Sequence, residues 1–234
     1  MAIIQNVREI RGRIANAASR AGRNPSDIAL MAVTKTHPAD LILEAYEAGL
    51  RLFGENRVQE FAEKLPKLRS LPGAEWHMIG HLQSNKAGKS AELFSAVDSV
   101  DSVRLAQKLN QSAQQLGKKL AVLIEINVGG ETAKSGVAPN SIDFEALLKE
   151  GSKFDHLEVR GLMTVPPFTE DPEQARPYFR KLREVRDRIG ARNLPGIGME
   201  VLSMGMSHDF EVAIEEGSTC VRVGTAIFGE RPKP

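Results

Sequence analysis

EVLSMGMSHD (Glu200–Asp209) and TCVRVGTAIFG (Thr219–Gly229), two stretches close to the carboxyl terminus, decide the fold. Each reads as a strand running into a loop of small residues, with Gly205 and Gly224 at the bends. Glycine lets backbone N–H groups approach an oxyanion closely. Ser207 or Thr225 adds a hydroxyl donor where a following helix points its positive end, so both loops look built for an anion, phosphate being the natural guest. Barrels of alternating strands and helices often place phosphate after their last two strands, whereas an open doubly wound sheet carries its glycine fingerprint after the first. No GxGxxG or P-loop signature follows the first strand here.

Working outward, strand signals fall near 28–34, 51–54, 75–80, 95–98, 121–127, 157–164, 199–203 and 219–223, with helical patterns near 38–48, 56–69, 84–92, 102–116, 140–150, 173–189 and 208–216. Phe179, Leu182, Val185 and Ile189 form the clearest apolar stripe. Ile3, Val7, Ile10, Ile14 and Ala17 recur at helical spacing, so a leading helix over 2–21 precedes the repeating pattern. A helix after the eighth strand is not evident. The expected fold is α/β, a (β/α)8 TIM barrel with an extra amino-terminal helix, formed as a single domain over 1–234. Within the last strand Cys220, Arg222 and Gly224 share one face and Val221 and Val223 the other, so the valines should meet the outer helices and Arg222 should point into the barrel. A buried arginine needs a partner, either a ligand or a structural carboxylate.

Composition narrows the function. The 234 residues are 41% hydrophobic and 26% charged, with no apolar stretch of transmembrane length and no signal-peptide pattern, so a cytoplasmic protein without membrane contact is expected. The formal net charge of +1 leaves no broad electrostatic footprint for nucleic acid. A lone Cys220 reads as a small core residue. The five histidines are scattered without an HExxH or a Cys pair, so no metal site is expected, and no GxSxG elbow supplies a serine nucleophile.

The chemistry then rests on Lys35, which follows the run IALMAV (28–33) at the start of the turn TKTHP. A lysine at the carboxyl end of a barrel strand either is a solvated loop charge or, shielded by protein, loses its proton and attacks a carbonyl to form a Schiff base. The barrel would gather on the same face Asn56, His81, Met163, Thr164 and the Ser203–Ser207 loop. Asn56 is either a helix N-cap or a cofactor contact. His81 reads as a hydrogen-bonded structural group, and Lys134 in NVGGETAKSG as a solvated charge.

AVTKTHP (32–38), FGENRVQE (53–60), WHMIGHLQSNK (76–86), GLMTVPP (161–167), LSMGMSHDF (202–210) and VRVGTAIFGER (221–231) closely resemble the pyridoxal phosphate homeostasis protein family, in order and through nearly the whole chain. The resemblance implies a fold like the barrel domain of alanine racemase. It also implies pyridoxal 5′-phosphate held covalently as a Schiff base on Lys35, phosphate contacts from Ser207, Gly224 and Thr225 together with Ser203, and Arg222 facing the pyridine nitrogen. Arginine offers only donors and keeps its proton, so it makes the ring a weaker electron sink. The tyrosine base that alanine racemase draws from a second domain has no evident counterpart, because Tyr46 and Tyr178 fall in helices away from the strand ends.

The leading expectation is therefore a carrier. It holds pyridoxal phosphate, acts in vitamin B6 and amino-acid homeostasis, meets small amino acids and apo-enzymes that need the cofactor, exists as a monomer or homodimer, and has no catalytic residue of its own. A slow cofactor-dependent amino-acid racemase and a cofactor-free Schiff-base aldolase are the alternatives.

Overall fold

The computed structural model describes residues 2–68, 70–131 and 133–230. Eight parallel strands close into a barrel in sequence order, β1 (Ala29–Val33), β2 (Leu52–Glu55), β3 (Glu75–Met78), β4 (Ala96–Val100), β5 (Leu120–Glu125), β6 (Leu157–Met163), β7 (Ile197–Met206) and β8 (Cys220–Val223). β8 returns to pair with β1, with Met31 opposite Arg222 and Ala32 opposite Val223. Helices α2 (Ala39–Glu47), α3 (Val58–Leu68), α4 (Ala87–Leu93), α5 (Val103–Gln115), α6 (Ile142–Gly151), α7 (Arg176–Gly190) and α8 (Phe210–Glu215) follow the first seven strands. The expected end of the third helix at Arg69 lies outside the described residues, as does Arg231 of the last motif.

One element was not legible in the sequence. A four-residue helix α9 (Thr225–Phe228) follows β8; a single turn is too short to show periodicity. β7 is also longer than expected, because its first half, Ile197–Glu200, is at most half-buried and carries no apolar run.

The period of two sorts each strand. Phe53, Trp76, Val97, Val122, Ile124, Leu162, Leu202, Val221 and Val223 join the layer between barrel and helices. There Phe53 stacks on Trp76 at 4.7 Å, and Phe61 of α3 lies 4.9 Å from Trp76 and 4.8 Å from Phe94. The opposite face, with Met31, Leu123, Met163 and Arg222, fills the barrel itself, as expected for Arg222. Gly161, at φ 154, permits the β6–β7 approach, since a Cβ there would stand 1.8 Å from the carbonyl oxygen of Val201.

α1 (Ala2–Arg20) lies across the seam where β8 meets β1. Its buried Ile3, Val7, Ile10, Ile14, Ala17 and Ala18 face the core, and Asn6, Arg13 and Arg20 bond to the Ile227 carbonyl, Glu211 and Glu215.

Candidate functional site

Lys35 leaves the end of β1 half-buried, and its two neighbours are clamped. The Thr34 hydroxyl donates to Glu55 Oε1 at 2.8 Å, and the Thr36 N–H donates to Glu60 Oε1 at 2.5 Å. Lys64 Nζ ties these carboxylates together, donating to Glu55 Oε1 (2.9 Å), Glu60 Oε1 (2.6 Å) and the Thr34 carbonyl (3.0 Å). The clamp holds Thr36 at φ 66, a left-handed conformation that costs a β-branched residue roughly 1–3 kcal/mol. His37 is buried beyond it, its ring 4.6 Å from that of Phe228, so the loop bearing Lys35 docks on α9. Burial pushes the Glu55 carboxyl above its ordinary range against the pull of Lys64, while in Glu60 the bonds from Lys64 and Thr36 outweigh burial and hold it below.

The end of β8 stands directly beside this strand. A Cβ built on Gly224 would find Val33 O at 3.4 Å and Val33 Cβ at 3.5 Å, ordinary contact, and its φ of −114 suits any residue. Nothing in the fold itself demands glycine at 224. At Gly205 the reverse holds. Its φ is 92, and a Cβ would stand 2.6 Å from that of Ala213 and 2.9 Å from Phe210 Cα, so the packing of α8 on β7 by itself requires glycine there.

Ser207 is where the two loops meet. Its Oγ accepts from Gly224 N–H at 3.2 Å, Ala226 N–H at 3.4 Å and the Thr225 hydroxyl at 3.4 Å. Three donors share one oxygen over long distances, which leaves each poorly satisfied and able to turn to a better acceptor. The turn is set by Asp209, whose Oδ1 accepts from Met206 N–H at 2.6 Å.

Arg222 is 3% exposed, and its Nη1 and Nη2 donate to the Ser203 hydroxyl and the Thr164 carbonyl, each at 2.7 Å. A hydroxyl and a carbonyl therefore hold it, not the structural carboxylate considered from sequence. Ser203 is fully buried, and its hydroxyl, by accepting from Arg222, orients the guanidinium. Met163 and Thr164 are fully buried, and the Thr164 hydroxyl donates to the Ile126 carbonyl at 2.7 Å.

Asn56 lies two residues before α3, and its Oδ1 is buried without a hydrogen-bond partner, an acceptor facing no donor at a strand end. His81 Nδ1 pairs with Asp101 Oδ2 at 3.3 Å and is more than half exposed, consistent with a structural pairing. Lys134, expected to be a solvated charge, is instead engaged, donating to the Pro166 carbonyl at 3.1 Å and pairing with Glu131. The thiol of buried Cys220 is pushed up to about 12 by burial, which keeps it unreactive.

Glu125 escaped sequence reasoning altogether. The last residue of β5, it is 8% exposed, its Oε2 lacks a partner, and burial, reinforced by Asp101 and opposed by Arg222, raises its carboxyl to about 7. The signal was available in the inward period Ala121, Leu123, Glu125. The clamp of Glu55, Glu60 and Lys64 left no comparable trace, because those residues read as ordinary helix and loop charges.

One end of the barrel thus presents a primary amine, a cradle of backbone and hydroxyl donors, and a buried guanidinium. That donor set suits a phosphorylated ligand bearing a carbonyl.

The family model described as alanine racemase, N-terminal domain, matches residues 2–232. Among curated proteins, the chain is 46% identical to the pyridoxal phosphate homeostasis protein of Aquifex aeolicus over 94% of both chains. It is 43% identical to that of Pseudomonas aeruginosa over 98% of this chain and 96% of the other. Among solved structures, PipY of Synechococcus elongatus with PLP bound is 38% identical at a TM-score of 0.80, covering 92% of this chain and all of that one. Alanine racemase from Clostridium difficile is 18% identical at a TM-score of 0.70, covering 98% of this chain and 58% of the racemase, a likeness of fold.

Proposed function

The chain belongs to the alanine racemase N-terminal-domain family and, within it, to the pyridoxal phosphate homeostasis proteins, and on that premise we propose that it binds pyridoxal 5′-phosphate at the end of the barrel that carries Lys35. The observation that carries the proposal is the Ser207 oxygen gathering the donors of Gly224, Thr225 and Ala226 in a bend where the fold does not require glycine. The buried, partnerless Asn56 Oδ1 supports the same fit.

In this reading Lys35 carries the cofactor covalently, as a Schiff base. Ser207, Gly224 and Thr225 hold its phosphate, Asn56 contacts it, and Arg222, oriented by Ser203 and Thr164, faces the pyridine nitrogen. The bound group supplies an electrophilic aldehyde carbon and an electron-withdrawing ring. Arg222 donates hydrogen bonds without giving up its proton, which limits that withdrawal. No tyrosine stands at the strand ends: Tyr46 on α2 donates to the Pro72 carbonyl at 2.9 Å, and Tyr178 on α7 packs on the core. The chain therefore acts as a cytoplasmic carrier and buffer of the cofactor. It exchanges the cofactor with small amino acids and apo-enzymes as one cofactor-binding unit, monomeric or homodimeric.

One observation favours a second reading, a slow amino-acid racemase. A carboxyl raised to about 7, as in Glu125, has the proton affinity a general base needs.

Borohydride reduction of the purified protein, followed by peptide mass analysis, tests the carrier directly. A pyridoxyl-phosphate mass on the Lys35 peptide is expected, lost in Lys35→Ala; the mass on Lys134 with Lys35 unmodified sinks the assignment. Chiral analysis and α-proton exchange of L-alanine in deuterated water separate the readings. Turnover at rates usual for enzymes, roughly 1–1000 per second and lost in Glu125→Gln, would replace the carrier by the racemase.

A further inference from the structure

The opposite end of the barrel holds a cavity that the cofactor reading does not use. Ala29, Ala96 and Ala121 open or nearly open their strands at inward positions, where barrels of this kind usually pack bulky branched residues. Ala29 is exposed and Ala121 half-buried although both point inward, and a cavity of about 280 Å³ remains. Leu52, Leu123 and Val201 supply apolar walls.

The polar groups of the cavity are only partly answered within the protein. His77 Nδ1 lies 3.1 Å from both oxygens of Asp98, which is 1% exposed, so that nitrogen carries the proton and the pair is settled. Burial works to lower the imidazole's proton affinity, but Asp98, with Glu75 further out, outweighs it and keeps the ring readily charged. The other nitrogen, Nε2, approaches Glu75 Oε2 only to 3.9 Å, beyond hydrogen-bond reach. Across the mouth, Arg160 Nε approaches Glu158 Oε1 likewise at 3.9 Å. The Glu75 and Arg160 side chains are 67% and 52% exposed. A carboxylate and a guanidinium, from β3 and β6, thus flank an apolar hole without bonding each other.

We propose that this cavity is a second ligand site and that it takes a free aliphatic α-amino acid. The charges select the class. With His77 balanced by Asp98, the mouth presents the Glu75 carboxylate on one side and the Arg160 guanidinium, only loosely faced by Glu158, on the other; a simple carboxylic acid would face Glu75 unanswered and a simple amine would face Arg160. A zwitterion satisfies both, its carboxylate toward Arg160 and His77 Nε2–H and its ammonium toward Glu75, while a short hydrocarbon side chain fills the apolar walls. The volume is at the small end for ligand pockets, which fits a molecule of amino-acid size and excludes a nucleotide. The site lies at the far end of the barrel from Lys35 and does not depend on what that end binds.

The test uses the full chain with its cofactor end intact and methyl NMR of Leu52, Leu123 and Val201. L-valine is titrated alongside N,N-dimethyl-L-valine, a tertiary amine that cannot condense with an aldehyde and so reports on the lower cavity alone. Both should shift these methyls saturably, whereas isobutyrate and isobutylamine should bind at least about tenfold more weakly. Ala121→Leu, which fills the cavity, should abolish the shifts, and Glu75→Gln and Arg160→Gln should each weaken binding by about tenfold. The proposal is overturned if dimethylvaline leaves these methyls unmoved, if its shifts persist in Ala121→Leu, or if isobutyrate binds as tightly as valine. The ligand series on the unsubstituted protein decides even where a variant does not fold.

Discussion

At the residue scale the buried charges govern behaviour. Arg222 leaves the Ser203 hydroxyl and Thr164 carbonyl without their donor when replaced, so Arg222→Gln should cost about 1–3 kcal/mol for each group left unsatisfied and weaken cofactor retention. If the variant melts at the same temperature and binds pyridoxal phosphate unchanged, Arg222 is not at the site. Glu125 makes a pH prediction with a definite sign. Its carboxyl is raised from 4.5 to about 7 in the folded state, chiefly by burial. The stability it contributes is therefore full below pH 4.5, falls as pH rises through about 7 and then levels off, a loss of about 3 kcal/mol. Urea denaturation at pH 5 and pH 8 should show Glu125→Gln gaining on the unsubstituted protein at the higher pH; an equal difference at both pH values contradicts this.

At the element scale, what positions Lys35 is the packing of α3 against the ends of β1 and β2. Lys64 is 11% and Glu55 0% exposed in their side chains, so the pair is shielded from the solvent that makes surface ion pairs weak. Removing one partner strands the other. Lys64→Met should destabilise the protein by about 3 kcal/mol and release the Thr34 carbonyl and Glu60, letting the loop bearing Lys35 relax. Thermal melting and the yield of borohydride-trapped cofactor on Lys35 should fall together. Unchanged trapping in a destabilised variant would show the clamp to be structural only. Lys35 itself, and the order of strand and loop around it, were legible because each strand is a compact apolar run ending in small or polar residues. The clamp was not: Glu55, Glu60 and Lys64 are spaced like any solvated charges, and only the docking of α3 removes water from them.

At the scale of the whole molecule, α1 covers the closing seam of the barrel and bonds through Asn6 to the Ile227 carbonyl in α9, the helix that begins with Thr225 of the proposed phosphate site. Ile10, 2% exposed, is buried mid-helix on the core face of α1, and Ile10→Ala should cost about 2–5 kcal/mol. Because α1 supports α8 and α9, cofactor affinity should fall with stability, measured by titration with pyridoxal phosphate. Retained affinity in the destabilised variant would uncouple the seam from the site.

By itself the sequence determined the alternation of strands and helices, the inward face of β8 and the placing of Lys35, Ser207, Arg222 and Gly224 toward one end of the barrel, because a period of two and the chemistry of small residues at strand ends are local properties. Tertiary structure alone decided that Ser203 serves Arg222, that Gly205 serves helix packing, that Glu125 holds its proton to about pH 7 and that the alanines at the far end leave a cavity. Each of those depends on which atoms distant parts of the chain bring within a few ångströms, and on how much water they exclude there.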